Sequence, residues 1–295
     1  MLTHNLPAPR PPARAVLLGA GGFLGRALAR RLAAAGVATL APVSRELDLA
    51  APGTSDALAA QLREDDSVVF LAALTPDRGR DIATMMRNLE MGRQVALALE
   101  RRPVAHVIYA SSDAVYPFGD APVDEASLAA PTDLYGAMHR TRELMMMASV
   151  KAPLSVLRPT LVYGADDTHN SYGPNRFRRQ AAKDGKIVLG GEGEETRDHI
   201  YVEDAAALIE RCLDRRTSGL ANLVSGRSFS FMDVARLVAA TFDRPIEIAT
   251  TKRTGPVTHR RFDARALAAA FPDFGFTTLA DGLAKVAAAV RAGAS

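Results

Sequence analysis

A single cysteine, Cys212, leaves no partner for an internal disulfide and no set of thiolates for a metal cluster. No apolar run is long enough to span a bilayer. The longest, Val68 to Leu74, falls far short of the ~20 residues a membrane helix requires, and no apolar leader follows Met1. The expected setting is cytoplasmic, with no membrane partner. Charge of one sign is missing too: 36 Lys plus Arg face 33 Asp plus Glu, and the net +3 is interspersed along the chain, so nucleic acid is not an expected partner. His169, His199 and His259 are scattered without ligand spacing, which argues against a metal centre. What remains is enzyme-like: 295 residues, 48% apolar and 23% charged, is enough chain for a large core in about two domains.

Met1 to Pro12 holds four prolines and no periodicity, so residues 1–13 read as a loose tail. From Arg14 the pattern alternates between short apolar runs and helical spacings. Strands are expected at Ala15–Leu18, Val37–Val43, Ser67–Ala72, Val104–Ala110 and Leu154–Leu157. Helices are expected at Phe23–Ala35, Thr54–Leu62, Ile82–Leu99 and about Asp133–Ala148. Such alternation predicts right-handed crossovers and an α/β fold with a doubly wound, Rossmann-like parallel sheet over residues 14–164. Later segments return to that sheet. Residues 165–295 are expected to form mainly a smaller α/β substrate lid, with helices near Val202–Leu213 and Phe231–Phe242 and an alanine-rich terminal helix.

Between the first strand and first helix stands Gly19-Ala20-Gly21-Gly22-Phe23-Leu24-Gly25. Glycine suits a turn that visits positive φ, lets a phosphate approach the backbone, and lets the helix pack close to the sheet. A pyrophosphate could rest there on unpaired N–H groups; a purely structural tight turn is the alternative. At the end of the second strand an acid would pair with a ribose 2′-hydroxyl, whereas arginine favours a 2′-phosphate. Ser44-Arg45, with Glu46 just after, tilts toward NADP over NAD, unless Arg45 is simply a solvated loop charge.

With these residues the chain resembles the extended short-chain dehydrogenase/reductases, the NAD-dependent epimerase/dehydratase group. The likeness continues through Asp48-Leu49, Ala72-Ala73, Ser111-Ser112-Asp113-Ala114-Val115-Tyr116, Tyr135-Gly136, Arg158-Pro159-Thr160, Arg197-Asp198 and Asn222 to Gly226. It implies that Gly19, Gly22, Phe23, Leu24, Gly25, Arg45, Asp48, Leu49, Ala72, Ala73, Pro159 and Thr160 line a dinucleotide site together with Tyr135 and His139. It further implies that Ser112 hydrogen-bonds the reacting sugar oxygen and that Tyr135 transfers its proton, for which the phenol must ionise more easily than its usual pKa near ~10 allows. The implied substrate is a nucleotide sugar, and the implied assembly is a homodimer through the helices at 82–99 and 133–148.

One departure stands out: the family's lysine four residues after the tyrosine is His139 here. Residues 135 and 139 share a helix face, so His139 can still reach the ribose, but a neutral imidazole brings no fixed cation. A working replacement, an impaired enzyme and a chain whose chemistry is lost all remain open. Arg140 and Arg142 are expected on other faces, in solvent, the alternative being that either one substitutes for the missing ammonium. Asp113 is followed by Ala114, where dehydratases of the family carry Asp-Glu, which argues against dehydration and for an epimerase or keto-sugar reductase; capping the loop is the plainer role for Asp113. Arg197 and Arg176 are candidate phosphate contacts on the substrate side, against an ion pair between the two halves and a solvated helix face respectively. The rival to an enzyme is a dinucleotide-holding pseudoenzyme, sensor or scaffold; a non-sugar substrate is a third possibility.

Overall fold

A computed structural model describes residues 2–167 and 173–293, so His169 lies outside the described residues. The first half runs β1 (Arg14–Leu18), α1 (Phe23–Ala34), β2 (Thr39–Leu40), α2 (Thr54–Gln61), β3 (Asp66–Phe70), α3 (Ile82–Arg101), β4 (His106–Ala110), a short 3-10 turn (Asp113–Val115), α4 (Leu134–Ser149) and β5 (Leu154–Pro159). β3 is buried along its whole length and β1 from Ala15 to Leu18, as expected of strands covered on both faces. Two of the helices start where a side chain can accept from their first turn: Asp81 accepts from Thr84 N–H ahead of α3, and Asp133 accepts from Gly136 N–H ahead of α4.

β6 (Leu161–Tyr163), α5 (Gly173–Asp184), β7 (Lys186–Gly190), β8 (Thr196–Tyr201), α6 (Val202–Asp214), β9 (Gly219–Leu223), β10 (Ser228–Ser230), α7 (Phe231–Ala239), β11 (Glu247–Thr251), β12 (His259–Arg260), α8 (Arg265–Ala270) and α9 (Leu279–Arg291) follow. The main sheet has the order β2-β1-β3-β4-β5-β9, every neighbour parallel. One face packs against α1 and α6 through Leu28, Leu32, Leu208 and Ile209, the other against α2, α3 and α4 through Leu58, Val95 and Met146. The fold is therefore a doubly wound α/β sheet, with α6 and β9 returned to it from the second half of the chain. The β1-to-β2 and β2-to-β3 crossovers run in opposite directions along the sheet, so that β2 and β3 flank β1, and a crevice opens at the carboxyl ends of β1 and β3. Around Tyr163, Phe177, Ile187, Leu189, Val234 and Val286, the elements β6, α5, β7, α7, β11 and α9 form a smaller α/β unit, while α8 packs on the main core through Leu267. No helix among the described residues is long and apolar enough to cross a membrane.

Two expectations need correction. The second strand keeps only Thr39–Leu40, because it lies at the sheet edge and Pro42 has no N–H to donate. The segment read as a loose tail is tied down: Thr3 and Ser218 exchange backbone hydrogen bonds of 2.8 Å, and Arg10 N–H donates to Asp214 O at 2.8 Å. His4 sits between Thr217 Oγ1 and Ala270 O, each at 2.9 Å. The α6–β9 turn offers carbonyls that an extended proline-rich strand can pair with, and that pairing has no periodic signature.

Candidate active site

The glycine turn is built by contact. Gly19 has φ +104°, and a Cβ there would stand 2.6 Å from Ala72 N, where the end of β3 presses against it. A Cβ on Gly25 would stand 2.2 Å from Gly19 O, so the first turn of α1 can lie on the loop only without a side chain. α1 carries neither a side-chain cap nor an acidic residue in its first turn, which leaves its N–H groups to an anion.

A cavity of about 1110 Å³ runs from this turn to the smaller unit. Its wall includes Gly19, Gly22, Phe23, Leu24 and Gly25; Asp48 and Leu49; Ala72 and Ala73; Pro159 and Thr160; and Ser112, Asp113, Tyr135, His139 and Arg197. Arg45 and Arg176 are outside it. The Arg45 side chain is 84% exposed and reaches only toward Glu46, 4.0 Å away, while Ser44 takes the wall position. Cations on that side are instead Arg78, Arg80 and Arg87. On α5 the wall takes Pro174 and Asn175, and the next residue along a helix is turned ~100° from its predecessor, which carries Arg176 away.

At the centre, Ser111 and Ser112 both line the cavity, but the Ser111 hydroxyl is engaged, donating to Glu143 Oε1 at 2.7 Å, whereas Ser112 accepts from Ala114 N–H at 3.1 Å and keeps its own proton to donate. α4 comes down onto this turn so closely that a Cβ on Gly136 would meet Ala114 O at 2.1 Å. The neighbouring residue, Tyr135, lines the same cavity as Ser112. The helix is anchored from below, where Arg158 grips Glu143 with two hydrogen bonds of 2.7 Å. Burial pushes the Glu143 carboxyl up, but hydrogen bonds from Arg158, Ser111 and Arg140 outweigh it and hold it below the usual carboxylate range.

His139 is 1% exposed. Its ring meets Tyr135 edge to face with centroids 4.6 Å apart, and its Nδ1 lies 2.7 Å from Tyr109 Oη. Burial, helped by the charge on Arg142, drives its pKa well below the ordinary imidazole value, so the ring is neutral. Burial likewise raises the Tyr109 phenol, which keeps its proton and donates it to Nδ1. The ring proton then sits on Nε2, a buried atom with no partner on a residue that lines the cavity. Arg142 is not solvated. Seven residues is about two helical turns, which puts it on the face of Tyr135. It is fully buried, stacked 4.1 Å over the Phe70 ring and 5.4 Å from that of Tyr109, and donates to Ala72 O at 2.9 Å. Arg140 stays partly exposed and pairs with Glu143 at 2.9 Å.

On the far wall, Arg197 lies 4.6 Å from the Phe118 ring and 5.7 Å from that of Phe231, and donates to Thr258 O and Oγ1 at 2.7 and 2.8 Å. Beside it stands Arg260, which sequence reasoning missed. It faces Asp113 Oδ2 at 3.4 Å, lies 4.1 Å from the Phe118 ring and donates to Tyr116 O at 2.6 Å. Only the pairing of β12 with β8 brings residue 260 here, and no local pattern announces it. Asp113 also accepts from Thr160 Oγ1 at 3.3 Å. The glycine cradle and the unpartnered Nε2 fit a nicotinamide dinucleotide laid along the crevice.

The family described as NAD dependent epimerase/dehydratase matches residues 15–224. A dTDP-L-rhamnose 4-epimerase of Burkholderia thailandensis is 33% identical over 142 residues, which make up 45% of this chain and 39% of that protein. The match thus spans well under half of the relative's length. The fold recurs in MoeE5 in complex with UDP-glucose and NAD, with a TM-score of 0.81 and 23% identity over 96% of this chain and 100% of that one. It recurs again in RMD from Pseudomonas aeruginosa complexed with NADPH, with a TM-score of 0.80 and 23% identity over 94% and 98% of the two chains.

Proposed function

Because the chain belongs to the NAD-dependent epimerase/dehydratase family, we propose that it is a nicotinamide-dependent enzyme of nucleotide sugars, an epimerase or keto-sugar reductase. One observation carries this: Ser112, Tyr135 and His139 converge on a single cavity with the glycine turn. A bound dinucleotide supplies the hydride that is exchanged with a sugar carbon. The chain does the rest. Ser112 donates its hydroxyl proton to the sugar oxygen, Tyr135 gives or takes the proton on that oxygen, and His139 Nε2–H holds the dinucleotide's ribose side. Arg197 and Arg260 lie ready for the diphosphate. Asp113 is engaged by Arg260 and Thr160 and is followed by Ala114, so the site lacks the acid–base pair that dehydration needs.

NADP is the proposed form. Arg78, Arg80 and Arg87 line the cavity, and the nearby acid Asp48 is already occupied by Ala50 N–H at 3.0 Å and Arg87 at 3.3 Å. We also assign a homodimer through α3 and α4, whose Ile82, Met86, Leu134, Leu144 and Met147 are exposed apolar side chains. A second reading, a dinucleotide-binding pseudoenzyme, draws on the neutral His139. The test is incubation of the purified protein with NADP or NAD and a panel of dTDP- and UDP-hexoses and their 4-keto forms, followed by NMR of the sugar ring protons. A changed configuration or a reduced ketone is expected. Dinucleotide binding with no conversion of any sugar would overturn the enzyme reading in favour of the second.

A further inference from the structure

A buried guanidinium with no counter-ion is costly, and the site contains one. Among the described residues no carboxylate pairs with Arg142, since the adjacent Glu143 is taken by Arg158 and Arg140. Its contacts are two aromatic rings, Ala72 O at 2.9 Å and Met138 Sδ at 3.8 Å, and its Nε has no partner. Room for it is cut into α3: a Cβ on Gly92 would stand 2.8 Å from Arg142 Cγ. The charge is thus deliberately packed inside the layer beneath the cavity wall, where low dielectric lets its field reach further than in water.

We propose that Arg142 is the positioning residue that gives this site its fixed positive charge, its guanidinium acting on Tyr135 across the Tyr109–His139 pair. The inference rests on the reading of Tyr135 as the proton-transferring group. Two effects follow from the same charge. It repels a proton from His139, and it polarises the Tyr109 O–H toward Nδ1, so that the single ring proton of the neutral imidazole stays on Nε2. Along the row of rings in which Arg142 lies 5.4 Å from Tyr109, Tyr109 Oη lies 2.7 Å from His139 Nδ1 and the His139 ring meets that of Tyr135 at 4.6 Å, the same positive charge favours the ionised form of the Tyr135 phenol. Among the described residues, the other charged groups on the cavity walls around Tyr135 are exposed or already paired: Arg197 donates to Thr258, and Arg260 faces Asp113. Asp133, from the start of α4, and Asp77, Arg78, Arg80 and Asp81, from the loop before α3, are exposed and screened. Asp113 on the 3-10 turn is opposed by Arg260, and His139 is neutral.

The experiment compares Arg142→Gln, which keeps a donor for Ala72 O without the charge, with Arg142→Lys, which keeps the charge. Tyrosine labelled with carbon-13 at Cζ is titrated by NMR, with the Tyr135 signal identified from Tyr135→Phe. In Arg142→Gln, Tyr135 should titrate higher by about one pH unit or more; Arg142→Lys should return most of that shift. The limb of the kcat profile that reports phenol ionisation should move by the same amount. Tyr135 titrating alike in all three proteins overturns the proposal. The NMR readout needs no substrate, so a protein that turns over no sugar but shows the shift would fault the functional reading alone. Should Arg142→Gln fail to fold, Arg142→Met makes the same comparison.

Discussion

Gly136→Ala should disable the site while leaving the fold and the cofactor crevice in place. The new Cβ would lie 2.1 Å from Ala114 O, a backbone atom of the turn that carries Ser112, and 2.9 Å from Pro131 Cβ. Relief requires α4 and the turn to part by about 1 Å, and displacement of catalytic groups by that much costs roughly 100-fold in rate. Stability should respond far less. Overpacking costs about 1–3 kcal/mol, and alanine inside a helix regains about 1 kcal/mol over glycine. The hydrogen bond from residue 136 N–H to Asp133 Oδ1, 2.7 Å long, does not depend on the side chain. The assay pairs kcat for sugar conversion with a dinucleotide titration and a thermal melt. A fall of about two orders of magnitude in kcat with little change in the other two is expected. A variant that keeps kcat within about threefold of the parent would refute the reasoning that this contact sets the positions of Tyr135 and Ser112.

Gly25→Ala should act at the other end of the crevice: with its Cβ 2.2 Å from Gly19 O the turn must open, and NADP or NAD should bind roughly tenfold or more weakly by calorimetry. Acid should unfold the protein in a definite window. Burial holds His106 down to about 4 and His199 to about 3, both below the unfolded value near ~6.5, so the folded chain takes up fewer protons and stability falls as pH drops from there toward those values. His106 accounts for about 3 kcal/mol of that loss. Asp198, raised to about 6 by burial, works the other way between there and its unfolded value near ~3.9, offsetting part of it. Urea midpoints should therefore drop between pH 6.5 and 4, and less so in His106→Gln, which can keep the bond to Thr217 O. Cys212, pushed up to about 12 by burial, should resist alkylating reagents at pH 8 in the native protein and react once unfolded.

The first half of the fold was legible because crossover units repeat a local rule. Apolar runs at Ala15–Leu18 and Val68–Phe70 are buried on both faces and so need no alternation, and helices such as α3 and α4 announce their starts with Asp81 and Asp133. The second half was read coarsely, since its strands are short and pair out of chain order, β8 with β6, β10 and β12. Arg45 shows the limit of motif transfer: the right residue type at the right position points into solvent, because the backbone after β2 puts Ser44 on the wall instead.

Residue order alone determined the glycine turn, the serine and tyrosine of the cavity, and the histidine standing in place of a lysine, because each is a local feature of spacing and type. Tertiary structure decided the electrostatics. Arg260 reaches Asp113 across 147 residues of sequence through one strand pairing, and Arg142 turned from an expected surface charge into a buried one because α3 has a glycine at the point of contact. What a charge does depends on what surrounds it in space, and neighbours in space are what a linear pattern leaves unspecified.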